Sequence, residues 1–286
     1  MTVAPDPRLG HDDSAKPSEG DERFWSVTTI IGTLDKPALL YWAAEQAAEA
    51  ACDIAGSLRT RISEDGREAV VKWLRDARFR PRKGQRTATA LGSAVHDACE
   101  ELALTGTWPR VDDEVRPFVE NADRLLQRLQ PTFEAAEAAV YNRTYGVAGT
   151  LDAIAVIDGQ RLVLDWKTSR KDADAQGNAT TAYPEHALQL AAYRNMELLA
   201  TFRARRFEKF RRRYYLLSEA EAADAVAMPE TDGAMVLHLT PGHGAAVPVR
   251  TDEVVWEAFL YAQEVARWQL EVSKTVIGDP YVVVTP

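Results

Sequence analysis

Two short apolar runs, at 149–157 and 161–166, are separated by a polar turn at Asp158, Gly159 and Gln160. That pattern predicts a β-hairpin over 149–169. Upstream, the β-branched and aromatic run at 24–31 reads as a short strand, and residues 37–54 and 68–77 read as helices, the first opened by Asp35 and Pro37. Helical spacing continues over 87–104 and 113–129, and Pro131 closes the second of these. A strand follows at 133–141 despite its alanines. After the hairpin come a polar loop at 170–181, a helix at 185–203, strands at 234–239 and 246–250 about a Pro-Gly-His-Gly turn, and a closing amphipathic helix at 252–272. This order predicts an α/β (α+β mixed) domain with a central mixed β-sheet flanked by helices and a helical N-terminal elaboration.

Residues 1–23 are rich in Pro, Gly, Asp and Glu with almost no large apolar side chains, which predicts a disordered tail. The remainder, 24–286, is expected to form a single domain: mainly helical at 24–131, a core at 132–203, and C-terminal strands and helix at 204–286. A hydrophobic share of 46% suffices for that core. The two cysteines, Cys52 and Cys99, have no paired spacing for zinc or an iron–sulfur cluster and fit a reducing, cytoplasmic setting. No apolar run approaches the roughly 18 residues of a membrane span, so no membrane partner is expected.

Chemistry concentrates around the hairpin. Side chains alternate along a strand, so Asp165 and Lys167 share a face and Trp166 points to the other, while Asp152 lies on the neighbouring strand. Two carboxylates and an ammonium held together this way can bind a divalent cation and a water. On the preceding helix Gly92, His96 and Glu100 are four apart, as are Gln189 and Tyr193 on the following one. Glu137 lies in the strand before the hairpin.

In order and spacing, Gly92-x-x-x-His96, Gly149-x-x-Asp152, Asp165-x-Lys167-Thr168 and Gln189-x-x-x-Tyr193 resemble the PD-(D/E)XK nuclease superfamily, and within it the RecB-like exonuclease branch. The segment SVTTIIGTLDKPALLYW is also similar to the start of phage-encoded exonucleases of this branch. Leu151 stands where the family has a proline, and the four cysteines of the cluster-bearing members are absent. The resemblance implies a restriction-endonuclease-like core and a Mg²⁺- or Mn²⁺-dependent DNA exonuclease without an iron–sulfur cluster. Its products would carry 5′-phosphates, and its role would lie in recombination, repair or phage DNA metabolism. His96, Asp152, Asp165 and the Trp166 carbonyl would be metal ligands. Lys167 would orient or deprotonate the attacking water, Gln189 would position it or Lys167, Tyr193 would contact the phosphate or pack beneath the site, and Glu137 would be a further carboxylate. DNA ends, with a recombination or single-strand-binding protein, would be the partners. The rivals are a structure- or single-strand-specific endonuclease and a noncatalytic DNA-binding or docking module of the same fold.

A net charge of -9 argues against binding nucleic acid through the bulk field and shifts attention to local basic runs. Two readings are open for these runs: a solvated helix face or a set of ion pairs with the acidic surface, or contacts to a phosphate backbone. The second assigns Arg203, Arg205, Arg206, Lys209 and Arg211, with Arg82, Lys83 and Arg86 ahead of the His96 helix.

Overall fold

The computed structural model describes residues 11–35, 37–76, 86–173, 182–209 and 212–278. Its chain divides into two compact units, Met1–Leu34 with Val95–Pro286, and Asp35–Ala94.

The first unit opens with β1 (His11–Asp12), β2 (Glu22–Ser26) and α1 (Val27–Ile31). Within Asp35–Ala94 lie α2 (Pro37–Asp53), α3 (Leu58–Asp65) and α4 (Arg67–Arg75), with α4 packed on both α2 and α3. The division falls within α5 (Ala88–Thr105). The first unit resumes with α6 (Arg116–Leu129), β3 (Thr132–Asn142), β4 (Val147–Ile157) and β5 (Gln160–Thr168). It continues through α7 (Pro184–Arg194), β6 (Leu198–Leu199), β7 (Ala204–Lys209), β8 (Arg212–Leu217), α8 (Glu219–Asp224) and β9 (Val226–Ala227). It closes with β10 (Gly233–Leu239), β11 (Gly244–Val249) and α9 (Glu253–Leu270).

All the strands join one mixed sheet, and β4 is its branch point. One edge of β4 pairs antiparallel with β3 along most of its length. On the other edge, β2 pairs in parallel at Val147 and Ala148, and β5 pairs antiparallel from Ala153 to Ile157. β4 and β5 therefore part company at Asp152, while the other edge of β5 pairs in parallel with β10 from Leu162 to Thr168. The β4–β5 turn is Asp158-Gly159, with φ of 50° and 78°, the positive values a two-residue hairpin turn requires.

Both faces of β3 are covered, as its alternation shows. Ala138 and Val140 enter a core cluster with Ile30 of α1, Leu190 and Tyr193 of α7, and Phe259 and Ala266 of α9. Ala139 and Tyr141 enter another with Phe24, Ala204, Tyr215 and Leu217. Strand identity in this alanine-rich segment comes from two-sided burial and pairing rather than intrinsic propensity. On β10, Thr240 just past the strand end accepts from Asn121 Nδ2 of α6 at 2.9 Å.

Four sequence expectations are corrected. Residues 11–23, expected as tail, join the sheet: β1 pairs with β7, Asp13 binds Arg206, and Asp21 binds Arg205. Order there comes from ion pairs, which a hydrophobicity count does not register. The helix expected over 185–203 ends at Arg194, where Asn195 Nδ2 turns back to the Ala191 carbonyl and the chain is taken up by β3 through β6. The basic run after it is a β-hairpin, β7–β8. Finally, residues 24–286 are not one unit, because 35–94 packs on itself. No helix among the described residues is long and apolar enough to cross a membrane.

Candidate metal centre

The fork between β4 and β5 leaves the Trp166 N–H without a partner on β4, and the Asp152 carboxylate accepts it at 2.7 Å. Asp152 is thereby fixed at the fork. From α5, His96 reaches the same place. Its Nε2 lies 2.7 Å from the Trp166 carbonyl, which can only accept, so Nε2 carries the hydrogen and Nδ1 is the nitrogen facing Asp152, 3.6 Å from Oδ2. A ring nitrogen that donates to a backbone carbonyl while the other is free to ligate is the usual arrangement of a metal-binding histidine.

Glu137 completes the group. It lies between the pairs Ala136–Ala153 and Ala138–Leu151, hence across from Asp152. One donor atom each from His96, Glu137 and Asp152 falls within 4.8 Å of the others. Burial pushes the Glu137 carboxyl up to about 8, and the neighbouring charges of Asp152, Glu100 and Asp97 push the same way against Arg206. Asp97 and Glu100 were not read as part of the site from the sequence. The signal was available, since Glu100 shares a helix face with His96.

Asp165 belongs to a second, adjoining arrangement. It is almost fully buried, forms an ion pair with Lys167, and accepts from Gln189 Nε2 at 3.2 Å. Burial raises the Asp165 pKa, and Lys167 opposes that rise. Burial also disfavours the Lys167 ammonium, but Asp165 and Asp152 outweigh it and the net shift is upward. Lys167 is thus held as a cation at the edge of the carboxylates. The expected ligand Asp165 stands outside the three-donor group, and the Trp166 carbonyl serves the imidazole.

From the opposite face, α7 supplies Gln189 and Tyr193. Gln189 Nε2 lies 3.3 Å from the Tyr193 hydroxyl as well as near Asp165, so it links the two. Tyr193 is buried, and burial raises its hydroxyl pKa well above the ordinary value. A Cβ at position 149 would come within 2.5 Å of Tyr193 Cε1, so Gly149 is what lets this ring lie against β4. The two motifs Gly149-x-x-Asp152 and Gln189-x-x-x-Tyr193 meet in that contact. Cys99, one turn past His96, is buried, and burial raises its thiol pKa so that it is inert at neutral pH.

The basic residues fall out unevenly. Arg205 is clasped by Asp21 and Glu221, and Arg206 is buried against Asp13 and Tyr215. Arg203 precedes β7 and Lys209 ends it, while Arg86 leads into α5. Arg82, Lys83 and Arg211 lie outside the described residues.

No family model matches the chain, and no curated protein matches it. Among solved structures, the crystal structure of SSO0001 is similar over 90% of this chain and 80% of its own, at 13% identity and a TM-score of 0.37. Similarity of that degree carries no argument about activity.

Proposed function

We propose that this chain is a metal-dependent DNA exonuclease that hydrolyses phosphodiester bonds to 5′-phosphate products. The observation that carries the reading is the convergence of His96, Glu137 and Asp152 on one point beside the buried Asp165–Lys167 pair. The donor set fits a divalent cation. Two carboxylates and an imidazole, with the Trp166 carbonyl adjoining, suit Mg²⁺, or Mn²⁺ where the nitrogen is used. The Glu137 carboxyl, whose pKa is raised by burial and then by its acidic neighbours, is where such a cation would replace a proton. Bound there, the cation supplies Lewis acidity toward a phosphoryl oxygen and lowers the pKa of a water.

The chain's own groups supply the rest. Lys167 is a fixed cation beside the carboxylates, placed to orient a water and to offset charge gathering on a phosphate under attack. Gln189 holds Asp165, and with it Lys167, in place from α7. Tyr193 anchors Gln189 from below. The resemblance extends the reading to DNA ends as substrate and to cytoplasmic work in recombination, repair or phage DNA metabolism, alongside a recombination or single-strand-binding protein.

The test is incubation of purified protein with end-labelled linear DNA and a covalently closed circle, with Mg²⁺, Mn²⁺ or EDTA. Linear DNA is expected to be degraded with metal and the circle left intact. Asp165→Ala and Lys167→Ala are expected to lose activity by about 10²-fold or more while keeping the wild-type circular dichroism spectrum. Undiminished activity in either variant overturns the assignment. Cutting of the circle gives an endonuclease instead, and DNA binding without Mn²⁺ binding gives a noncatalytic module.

A further inference from the structure

Arg206 is a buried cation that the metal group does not use directly. It lies on β7 and is 6% exposed. Its Nε donates to Asp13 Oδ1 at 2.8 Å, its Nη2 to Asp13 Oδ2 at 3.0 Å, and its Nη1 to the Tyr215 hydroxyl at 3.4 Å. The guanidinium carbon also lies 5.7 Å from the centre of the Tyr215 ring. The Tyr215 hydroxyl shares a hydrogen bond of 2.9 Å with Thr150 Oγ1. Thr150 is two residues before Asp152 on β4. A connected path therefore runs from Arg206 through Tyr215 and Thr150 to within two residues of Asp152 on β4.

The partners of this ion pair are unequal. The cation is built into the sheet, between strands and under an aromatic ring. The anion comes from a short N-terminal segment, and its side chain is 60% exposed. A buried guanidinium needs an anion, and the two-residue pairing of β1 with β7 is what brings Asp13 to it. Two parallel N–H donors of an arginine fork take two oxygens of a phosphate in the geometry in which they take a carboxylate.

We propose that Arg206 and the Tyr215 hydroxyl form a subsite for a phosphate group of the substrate, linked through Thr150 to the strand that carries Asp152, and that Asp13 occupies this subsite until substrate displaces it. The inference rests on the phosphodiesterase reading of the metal centre and adds to it an internal competitor. Substrate phosphate and the Asp13 carboxylate exclude one another, so the segment 11–14 is a built-in brake on binding.

Asp13→Asn keeps the shape and removes the charge. Measured by fluorescence anisotropy with a fluorescein-labelled single-stranded oligonucleotide in EDTA, it is expected to bind about tenfold more tightly than wild type, equivalent to about 1.4 kcal/mol. Adding Arg206→Lys should abolish the gain, because lysine keeps the charge but not the fork. On the wild-type chain, hydrogen exchange at 13–15 should quicken when the oligonucleotide binds, a readout that does not depend on any variant folding. Unimproved binding by a folded Asp13→Asn, a gain that survives Arg206→Lys, or exchange at 13–15 that is unchanged or slowed each overturn the inference. Failure of the nuclease reading is seen separately, as wild-type protein that leaves linear DNA intact with Mn²⁺. The subsite is then judged with inorganic pyrophosphate by calorimetry, where Asp13→Asn must again bind more tightly than wild type and the double variant must not.

Discussion

Glu137 has φ of 45° in the middle of a strand, a backbone conformation that costs a residue with a Cβ about 1–3 kcal/mol. The strain sits where the side chain faces Asp152, and burial raises its carboxyl from an ordinary 4.5 to about 8. Between those values the folded chain holds a proton that the unfolded chain has lost, so stability from this group is full below about 4.5 and falls as pH rises toward 8. Asp165, also raised by burial, adds to the early part of that fall. In EDTA the melting temperature should therefore decline between pH 5 and 8. Glu137→Gln should flatten the decline, and Mn²⁺ should reverse it in the wild type by taking the proton's place. Parallel declines in the two proteins would show that Glu137 is not the group responsible. Little of this could be read beforehand. The sequence places a glutamate in a strand, but its backbone angle is set by what β3 meets, and its protonation by charges brought from α5. The contact of Tyr193 with Gly149 is of the same kind, since both residues stand out as motif positions and only the fold joins them.

At the scale of elements, legibility followed local chemistry. The β4–β5 hairpin announces itself because Asp158-Gly159 meets the turn's dihedral demands and the flanking runs are apolar. The end of α7 does not, because Asn195 stops the helix partly through a bond that Asn142 of β3 donates to its carbonyl. The β7–β8 hairpin was hidden by its arginines. Alternation is there, but charges on both faces mask it, and their carboxylate partners lie far away in sequence. Arg205 is held by Asp21 from the N-terminal segment and by Glu221, and the Asp21 carboxyl is pulled down to about 2 by that contact. A depressed carboxyl contributes stability that is full above its ordinary 3.8 and is lost as pH falls toward 2. Asp21→Asn should thus cost about 1.5–3 kcal/mol at pH 7 in urea unfolding, through loss of a hydrogen bond to a charged group. Its deficit relative to wild type should shrink between pH 4 and pH 2. A constant deficit across that range would assign the loss to packing rather than to the ion pair.

For the molecule as a whole, burial is unequally shared. In the unit that holds the sheet, apolar side chains from α1, α7 and α9 close over β3 and β4, and a second cluster covers the other face. Among the described side chains of Asp35–Ala94, Val70 and Leu91 are the buried ones, and α3 buries none. A helical unit of some 60 residues with so few buried apolar side chains among those described is expected to open locally, whatever its helix propensity. The Ala-rich pattern of α2 reads the same in either setting, which is why the sequence points to one domain where the chain forms two units. Stability should accordingly be local. Native-state hydrogen exchange is expected to show α3 and α4 opening at much lower free energy than β3, β4 and β5. Val70→Ala, which removes about 1–3 kcal/mol of buried contact, should speed exchange across α2, α3 and α4 and leave β3–β5 protection unchanged. Leu151→Ala, in the sheet core, should lower protection throughout β3–β5. If Val70→Ala weakened β4 to the same degree as α4, the two units would be opening as one cooperative body. The site at the β4–β5 fork would then depend on 35–94 for its rigidity, and a nuclease assay on Val70→Ala would show the loss directly.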